Sequence, residues 1–156
     1  MSTPKSLQDT FAPRATCFGC GPANERGLRI KSFPQGDDVV ADWQAEPWHE
    51  AFPGCLNGGI TGALFDCHSN WCAIHHRMQT HHLKAAPAMV TAEFSVKLRR
   101  PIPTRDPVHL VARVIKTDGD KIAVEARLEA GGKVCATSSG TFVAVEPGHP
   151  AYHRWD

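Results

Sequence analysis

No run of about 18 apolar residues, the length that crosses a bilayer, occurs in the 156-residue sequence. No signal-peptide apolar region follows Met1 either, so a soluble, unexported, cytoplasmic protein is expected. An excess of one charge is also missing: 17 Lys and Arg stand against 16 Asp and Glu, which leaves no electrostatic case for nucleic acid or a membrane surface as partner. There is no GxSxG nucleophile elbow, no GxxxxGK(S/T) phosphate loop and no HExxH metal pair. These absences remove the commonest hydrolase and nucleotide-binding routes. Internal repeats and low-complexity tracts are absent as well.

A disulfide framework is another thing the chain lacks. Its six cysteines, at positions 17, 20, 55, 67, 72 and 135, do not have the spacing of a small disulfide scaffold. They read as reduced, small buried hydrophobes. Cys17 and Cys20 form a lone CxxC. A complete structural zinc site needs four ligands, and neither a second CxxC nor a suitably spaced histidine pair accompanies it. The expectation is therefore a tight turn entering the first strand, with no metal and no cofactor. His75, His76, His81 and His82 invite a metal reading too, but adjacent histidines on a helix point apart. A solvated helix end is expected there, where His also suits the helix dipole.

What is present is an ordinary apolar content of 42% in a chain long enough for one domain with a real core. Residues 1–14, polar and carrying Pro4 and Pro13, read as a flexible arm; residues 15–146 read as the single domain. Residues 147–156, with Tyr152 and Trp155, read as a tail packed on the surface or on a partner subunit.

The most informative stretch is Pro53 to Ile74. Asn57 is a good N-cap, and Gly58 and Gly59 leave the first-turn amides open to a close ligand. Ile60, Leu64, Cys67, Trp71 and Ile74 follow helical spacing, and the opposite face carries Phe65, Cys72 and Ala73 with no Lys, Arg or Glu. Such a helix belongs inside a fold. Asp66, the only acid between Glu50 and Glu93, sits two turns into it and shares a face with Gly59, Gly62, Asn70 and Ala73. A carboxylate in that setting is either satisfied by a structural partner or kept for chemistry.

Strands are expected on both sides of this helix. Gly27–Phe33 and residues 38–44 flank a turn at Pro34–Asp37. After the helix, Val90, Ala92, Phe94, Val96 and Leu98 alternate inward against Thr91, Glu93, Ser95, Lys97 and Arg99. Further strands are expected over 108–117, 121–129 and 133–145, joined by turns at Asp118–Asp120 and Gly131–Gly132. The pattern is α+β.

Residues 57–66, NGGITGALFD, resemble the His-Gly-Gly-(x)6-Asp/Glu segment of hotdog-fold acyl-CoA thioesterases, the PaaI-like group above all. The segment CFGCGPANERGL, residues 17–28, resembles an N-terminal signature of the same group. The resemblance covers roughly residues 15–145. It implies a hotdog fold, one long central helix wrapped by an antiparallel sheet of five to six strands, acting as a homodimer or a dimer-of-dimers tetramer. It also implies hydrolysis of an acyl-CoA thioester at subunit interfaces, where the Gly-Gly turn of one chain faces the acid of the other.

On that resemblance Asp66 is the catalytic carboxylate, as general base or as nucleophile, and the Gly58 amide is the oxyanion donor with Gly59 flanking it. Asn57 stands where the family usually has His; its amide can donate a hydrogen bond but cannot relay a proton. Asn70, one turn after Asp66, is a candidate to hold water or substrate. His49 lies in the pre-helix loop that in the family helps form the acyl pocket. Trp48, Phe52, Trp71 and Phe94 are candidates to line that pocket. Arg100, with Arg99 and Arg105, is a candidate for the phosphates of coenzyme A, against plain solubility at a strand end. Two alternatives stay open. One is a non-catalytic hotdog module that binds acyl-CoA or another small ligand. The other is a hydratase or dehydratase, which His68 disfavours because two helical residues turn it about 200° from Asp66.

Overall fold

A computed structural model of the chain describes residues 3–156. Met1 and Ser2, part of the expected N-terminal arm, lie outside the described residues. In chain order the elements are α1 (Leu7–Phe11), β1 (Phe33–Gln35), β2 (Asp38–Trp43), a 3-10 turn at Pro47–His49, β3 (Glu50–Phe52), β4 (Cys55–Leu56), α2 (Gly58–Thr80), β5 (Met89–Leu98), β6 (Val108–Asp118), β7 (Lys121–Ala130) and β8 (Lys133–Ala144). Six strands make one antiparallel sheet in the order β1-β2-β6-β7-β8-β5, and β3 pairs with β4 separately. A single long helix laid on a six-stranded antiparallel sheet is the expected α+β hotdog arrangement.

The alternation of apolar residues decides which face of the sheet meets α2. In β7, Ile122, Val124, Ala126 and Leu128 are all buried, with Ala123, Glu125 and Arg127 between them. Leu110 and Ala112 of β6 and Phe142 of β8 are fully buried beside them, and Leu64, Phe65, Trp71 and Ile74 of α2 close the core from above. The β7–β8 turn works because Gly131 and Gly132 take φ of 58° and 74°. A two-residue hairpin of that kind needs left-handed backbone at both positions, which glycine adopts without steric cost.

Several expectations are corrected. Gly27 to Ser32 form no strand. Leu28 and Ile30 are buried, but their amides bond the carbonyls of Phe18 and Gly19, at 2.7 and 3.1 Å, so the segment zips onto the CxxC turn instead of the sheet. The left-handed φ of 54° at Arg29 breaks strand geometry there. The CxxC turn accordingly enters this irregular segment and not a strand.

Part of the supposed flexible arm is structured. Ser6 caps α1 by accepting from the Asp9 amide at 3.0 Å, and Leu7, Gln8 and Ala12 are buried. Gln8 donates to Ser32 Oγ (2.9 Å) and accepts from the Ser32 amide (2.8 Å). Ser32 Oγ in turn meets His68 Nδ1 at 2.8 Å, and His68 Nε2 meets the Val39 carbonyl at 2.9 Å. A carbonyl only accepts, so Nε2 carries the proton and Nδ1 accepts from the serine. Four segments distant in sequence are thereby joined by a buried, fully paired polar chain.

The alternation in β5 slips. A bulge between Thr91 and Glu93 shifts the register against β8, which turns Thr91 toward α2 where simple alternation would point it outward. The C-terminal tail packs on its own chain: Trp155 is buried against Trp71 with ring centroids 4.9 Å apart, and Arg154 donates to the Met89 carbonyl at 2.8 Å. Finally, α2 runs on to Thr80, so His75 and His76 are half-buried helix residues and only His81 and His82 are exposed beyond it.

Candidate functional site

The N-terminus of α2 is built as the sequence demands. Asn57 Oδ1 accepts from the Ile60 amide at 3.1 Å, and the Asn57 carbonyl accepts from the Thr61 amide at 3.1 Å. Gly58 and Gly59 are the first two helical residues, whose amides have no intrahelical acceptor, and both are exposed. The turn therefore presents two open N–H groups at the positive end of a 23-residue helix. With the Asn57 oxygen occupied in capping, its Nδ2 remains available as a donor.

Two turns on, Asp66 is half-buried. Thr91 Oγ1 donates to Asp66 Oδ1 at 2.5 Å, a short contact in keeping with a charge-assisted bond. Burial pushes the Asp66 carboxyl above its ordinary value, and the Thr91 hydrogen bond pulls the other way. The face of α2 that carries Gly58, Gly62, Asp66 and Asn70 lies along β5. A Cβ on Gly58 would sit 3.3 Å from Leu98, and one on Gly62 would sit 3.8 Å from Phe94. Asn70 Nδ2 donates to the Met89 carbonyl at 3.2 Å, and its buried Oδ1 has no partner among the described residues. Asp66 and Asn70 thus share one wall. Thr91 escaped the sequence reading because the bulge that aims it has no signature in the alternation.

Asp66 and the Gly58 amide are not adjacent within one chain. Eight residues of helix separate them by about 12 Å along the axis, too far for one carbonyl group to touch both. The other expected residues spread further. His49 Nδ1 accepts from the Glu46 amide at 2.9 Å, and its ring lies 5.1 Å from that of Trp43. Burial lowers its pKa, with Glu46 opposing. Its backbone contribution is nearer the site: the His49 carbonyl accepts from the Asn57 amide at 3.0 Å and so braces the cap. Arg100 is exposed beyond the end of β5, with its amide on the Cys135 carbonyl at 3.0 Å. Of the aromatic candidates, Trp48 and Phe52 are exposed on the pre-helix loop and Phe94 on β5. Trp71 is fully buried under Trp155 and lines no open surface. His68, spent on the structural chain with Ser32 and Val39, is not a partner for Asp66. A groove of about 670 Å³ lined by Lys97, Arg99, Arg113 and Arg127 contains neither Asp66 nor the Gly-Gly turn.

The structure also gathers residues that the sequence left apart. Cys67, the neighbour of Asp66, meets Cys17 and Cys20. Hydrogen bonds from Cys20 and then Cys67 draw the Cys17 thiol well below its usual range. The Cys20 thiol, which gives up its hydrogen bond to Cys17, is pushed up to about 12.

Comparison with known proteins identifies the family. The Thioesterase superfamily profile matches residues 53–137, the span from the Gly-Gly turn through most of the sheet, and the chain belongs to that superfamily. The chain is 21% identical over 148 residues to an acyl-coenzyme A thioesterase, THEM4, of Bos taurus. That alignment takes in 92% of this chain but 57% of the relative, so the chain spans little more than half that protein's length. Among solved structures, a thioesterase superfamily protein from Shewanella loihica superposes with a TM-score of 0.65 at 26% identity, covering 80% of this chain and 98% of that one. A thioesterase from Haemophilus influenzae superposes at 0.64 with 19% identity, covering 78% and 84%; at that identity the likeness shows the fold alone. Membership of the superfamily supports thioester hydrolysis in general terms. Among the described residues no helix is long and apolar enough to cross a membrane.

Proposed function

We propose that this protein hydrolyses an acyl-CoA thioester at sites shared between two copies of the chain. In each site the open Gly58 amide, flanked by Gly59, receives the charge that develops on the thioester oxygen, with Asn57 Nδ2 as a further donor. The partner chain's Asp66 serves the carbonyl carbon, either by activating water or by attacking it directly. The observation that carries this reading is a lone half-buried carboxylate, held by Thr91 at 2.5 Å, on the same helix face as two free glycine amides.

The composite site follows from distance. Donors and acid about 12 Å apart on one helix act on one carbonyl only when a second copy brings the complementary half. The β5 edge suits such a partner, because it is unpaired in the sheet order and exposes Phe94 and Leu98 beside the glycine face. Trp48 and Phe52, exposed on the loop before the helix, supply apolar surface for the acyl chain. Arg100 is available to the coenzyme A phosphates, and Asn70 to a water beside Asp66. The free cysteines fit a reducing, cytoplasmic setting.

The non-catalytic reading keeps one observation in its favour: Asn57 cannot relay a proton where the family's His can. Thiol release from a panel of aryl- and alkyl-CoA thioesters, run on wild type and Asp66→Asn, separates the two. The proposal predicts hydrolysis by the wild type and a fall of about two to four powers of ten in the variant. A folded wild type that releases no thiol but gains thermal stability from the same acyl-CoAs is a binding module.

A further inference from the structure

The CxxC turn and the central helix are remote in sequence but meet at one point. The sulfurs of Cys17, Cys20 and Cys67 all lie within 4.8 Å of one another, and Cys17 Sγ and Cys67 Sγ are 3.7 Å apart. A tetrahedral ion with metal–sulfur bonds of about 2.3 Å sets its sulfurs about 3.8 Å apart, whereas a disulfide brings them to about 2 Å. The Cys17–Cys67 spacing, at which the two thiols also hydrogen-bond, matches that of thiolates sharing a cation.

The surroundings are shaped to the same end. A Cβ on Gly19, between the two cysteines of the turn, would lie 2.3 Å from Cys67 Sγ, so the third sulfur enters only because that residue has no side chain. The Trp71 indole N–H donates to Cys20 Sγ at 3.4 Å, the kind of support that orients a sulfur ligand from behind. Cys20 is buried, while Cys17 is half-buried and gives the cluster an open side. Cys72 and Cys135, although buried, are not part of it.

The geometry points to a metal site at Cys17, Cys20 and Cys67 that binds a thiophilic ion of the zinc class, with three thiolates from the chain and the fourth position filled by solvent. Thiolate ligands select such an ion over magnesium or calcium, and each thiol that enters protonated releases its proton on binding. The ion pins the N-terminal turn to α2 at the residue after Asp66. The assignment does not depend on the thioesterase reading.

Cobalt(II) titrated anaerobically into the reduced full-length protein tests it. The expected result is a sulfur-to-cobalt charge-transfer band with the visible bands of tetrahedral coordination, saturating at one ion per chain. Both should be lost in Cys67→Ser and retained in Cys72→Ser. Absence of the charge-transfer band in the wild type overturns the site; so does its full retention in Cys67→Ser, which assigns the ion to the CxxC without the helix cysteine. A second readout needs no variant: zinc should protect Cys17, the half-buried member that gives the cluster its open side, from alkylation by iodoacetamide followed by mass spectrometry. Alkylation of Cys17 at the same rate with and without zinc contradicts the proposal.

Discussion

On the proposed function Asn57 does two jobs with one side chain. Its oxygen accepts from the Ile60 amide at 3.1 Å, and its nitrogen, unused in the cap, is the proposed donor. Asn57→Asp separates the roles, because the carboxylate keeps the capping acceptor and the favourable dipole interaction but has no N–H. The melting temperature should hold while hydrolysis falls by about two powers of ten, the usual cost of losing an oxyanion donor. Thr91 is tested by a near-isosteric change. In Thr91→Val the Asp66 carboxylate loses its hydroxyl partner, and kcat should fall by about 10- to 100-fold, the worth of a hydrogen bond to a charged group, with the circular dichroism spectrum unchanged. Residues of the first kind were legible in the sequence because their signal is local: an N-cap, two glycines, and one acid in an acid-free stretch. Thr91 and Cys67 were not, since what makes each of them matter is a neighbour brought from elsewhere by the fold. Trp71 was misjudged for the same reason, as the tail that covers it lies more than 80 residues away.

At the scale of elements, α2 and strands β6 to β8 followed from periodicity, which reports faces directly. The failures fall where something other than periodicity chooses the partner. Gly27 to Ser32 alternate like a strand, yet the Leu28 and Ile30 amides bond carbonyls of the CxxC turn, and the left-handed Arg29 between them breaks strand geometry. The arm at the N-terminus looked too polar to be held, but Gln8 and Ser32 are polar because they complete the chain to His68. That chain makes an acid-sensitive joint. Burial lowers the His68 pKa from 6.5 to about 4 in the folded protein. Above pH 6.5 both folded and unfolded states are neutral at this ring, and it costs nothing. As pH falls from 6.5 toward 4 only the unfolded chain takes up the proton, so up to about 3 kcal/mol of stability is lost across that window. Urea titrations at pH 7 and pH 4.5 should differ accordingly, and His68→Gln should flatten the difference. An equal loss in that variant would place the acid sensitivity in other groups.

For the whole molecule, the proposed function puts both halves of the chemistry on one helix, about 12 Å apart, where they cannot act on one substrate alone. The exposed Phe94 and Leu98 beside an unpaired β5 edge give a second copy an apolar place to sit. In the proposed dimer, two-fold symmetry would make two equivalent composite sites, each with a glycine turn from one chain and an acid from the other. The direct measurement is complementation between two inactive variants. Gly58→Pro removes the oxyanion amide at the first helical position, where proline is tolerated, and Asp66→Asn removes the acid. When the two are unfolded together and refolded, heterodimers form one intact site and one doubly broken site. Random pairing then returns about a quarter of wild-type activity from two parents that have none. Native mass spectrometry counts the heterodimers in the same sample. Activity that rises with their fraction is the result this account predicts; heterodimers present in the expected proportion with no recovered hydrolysis would contradict the shared site.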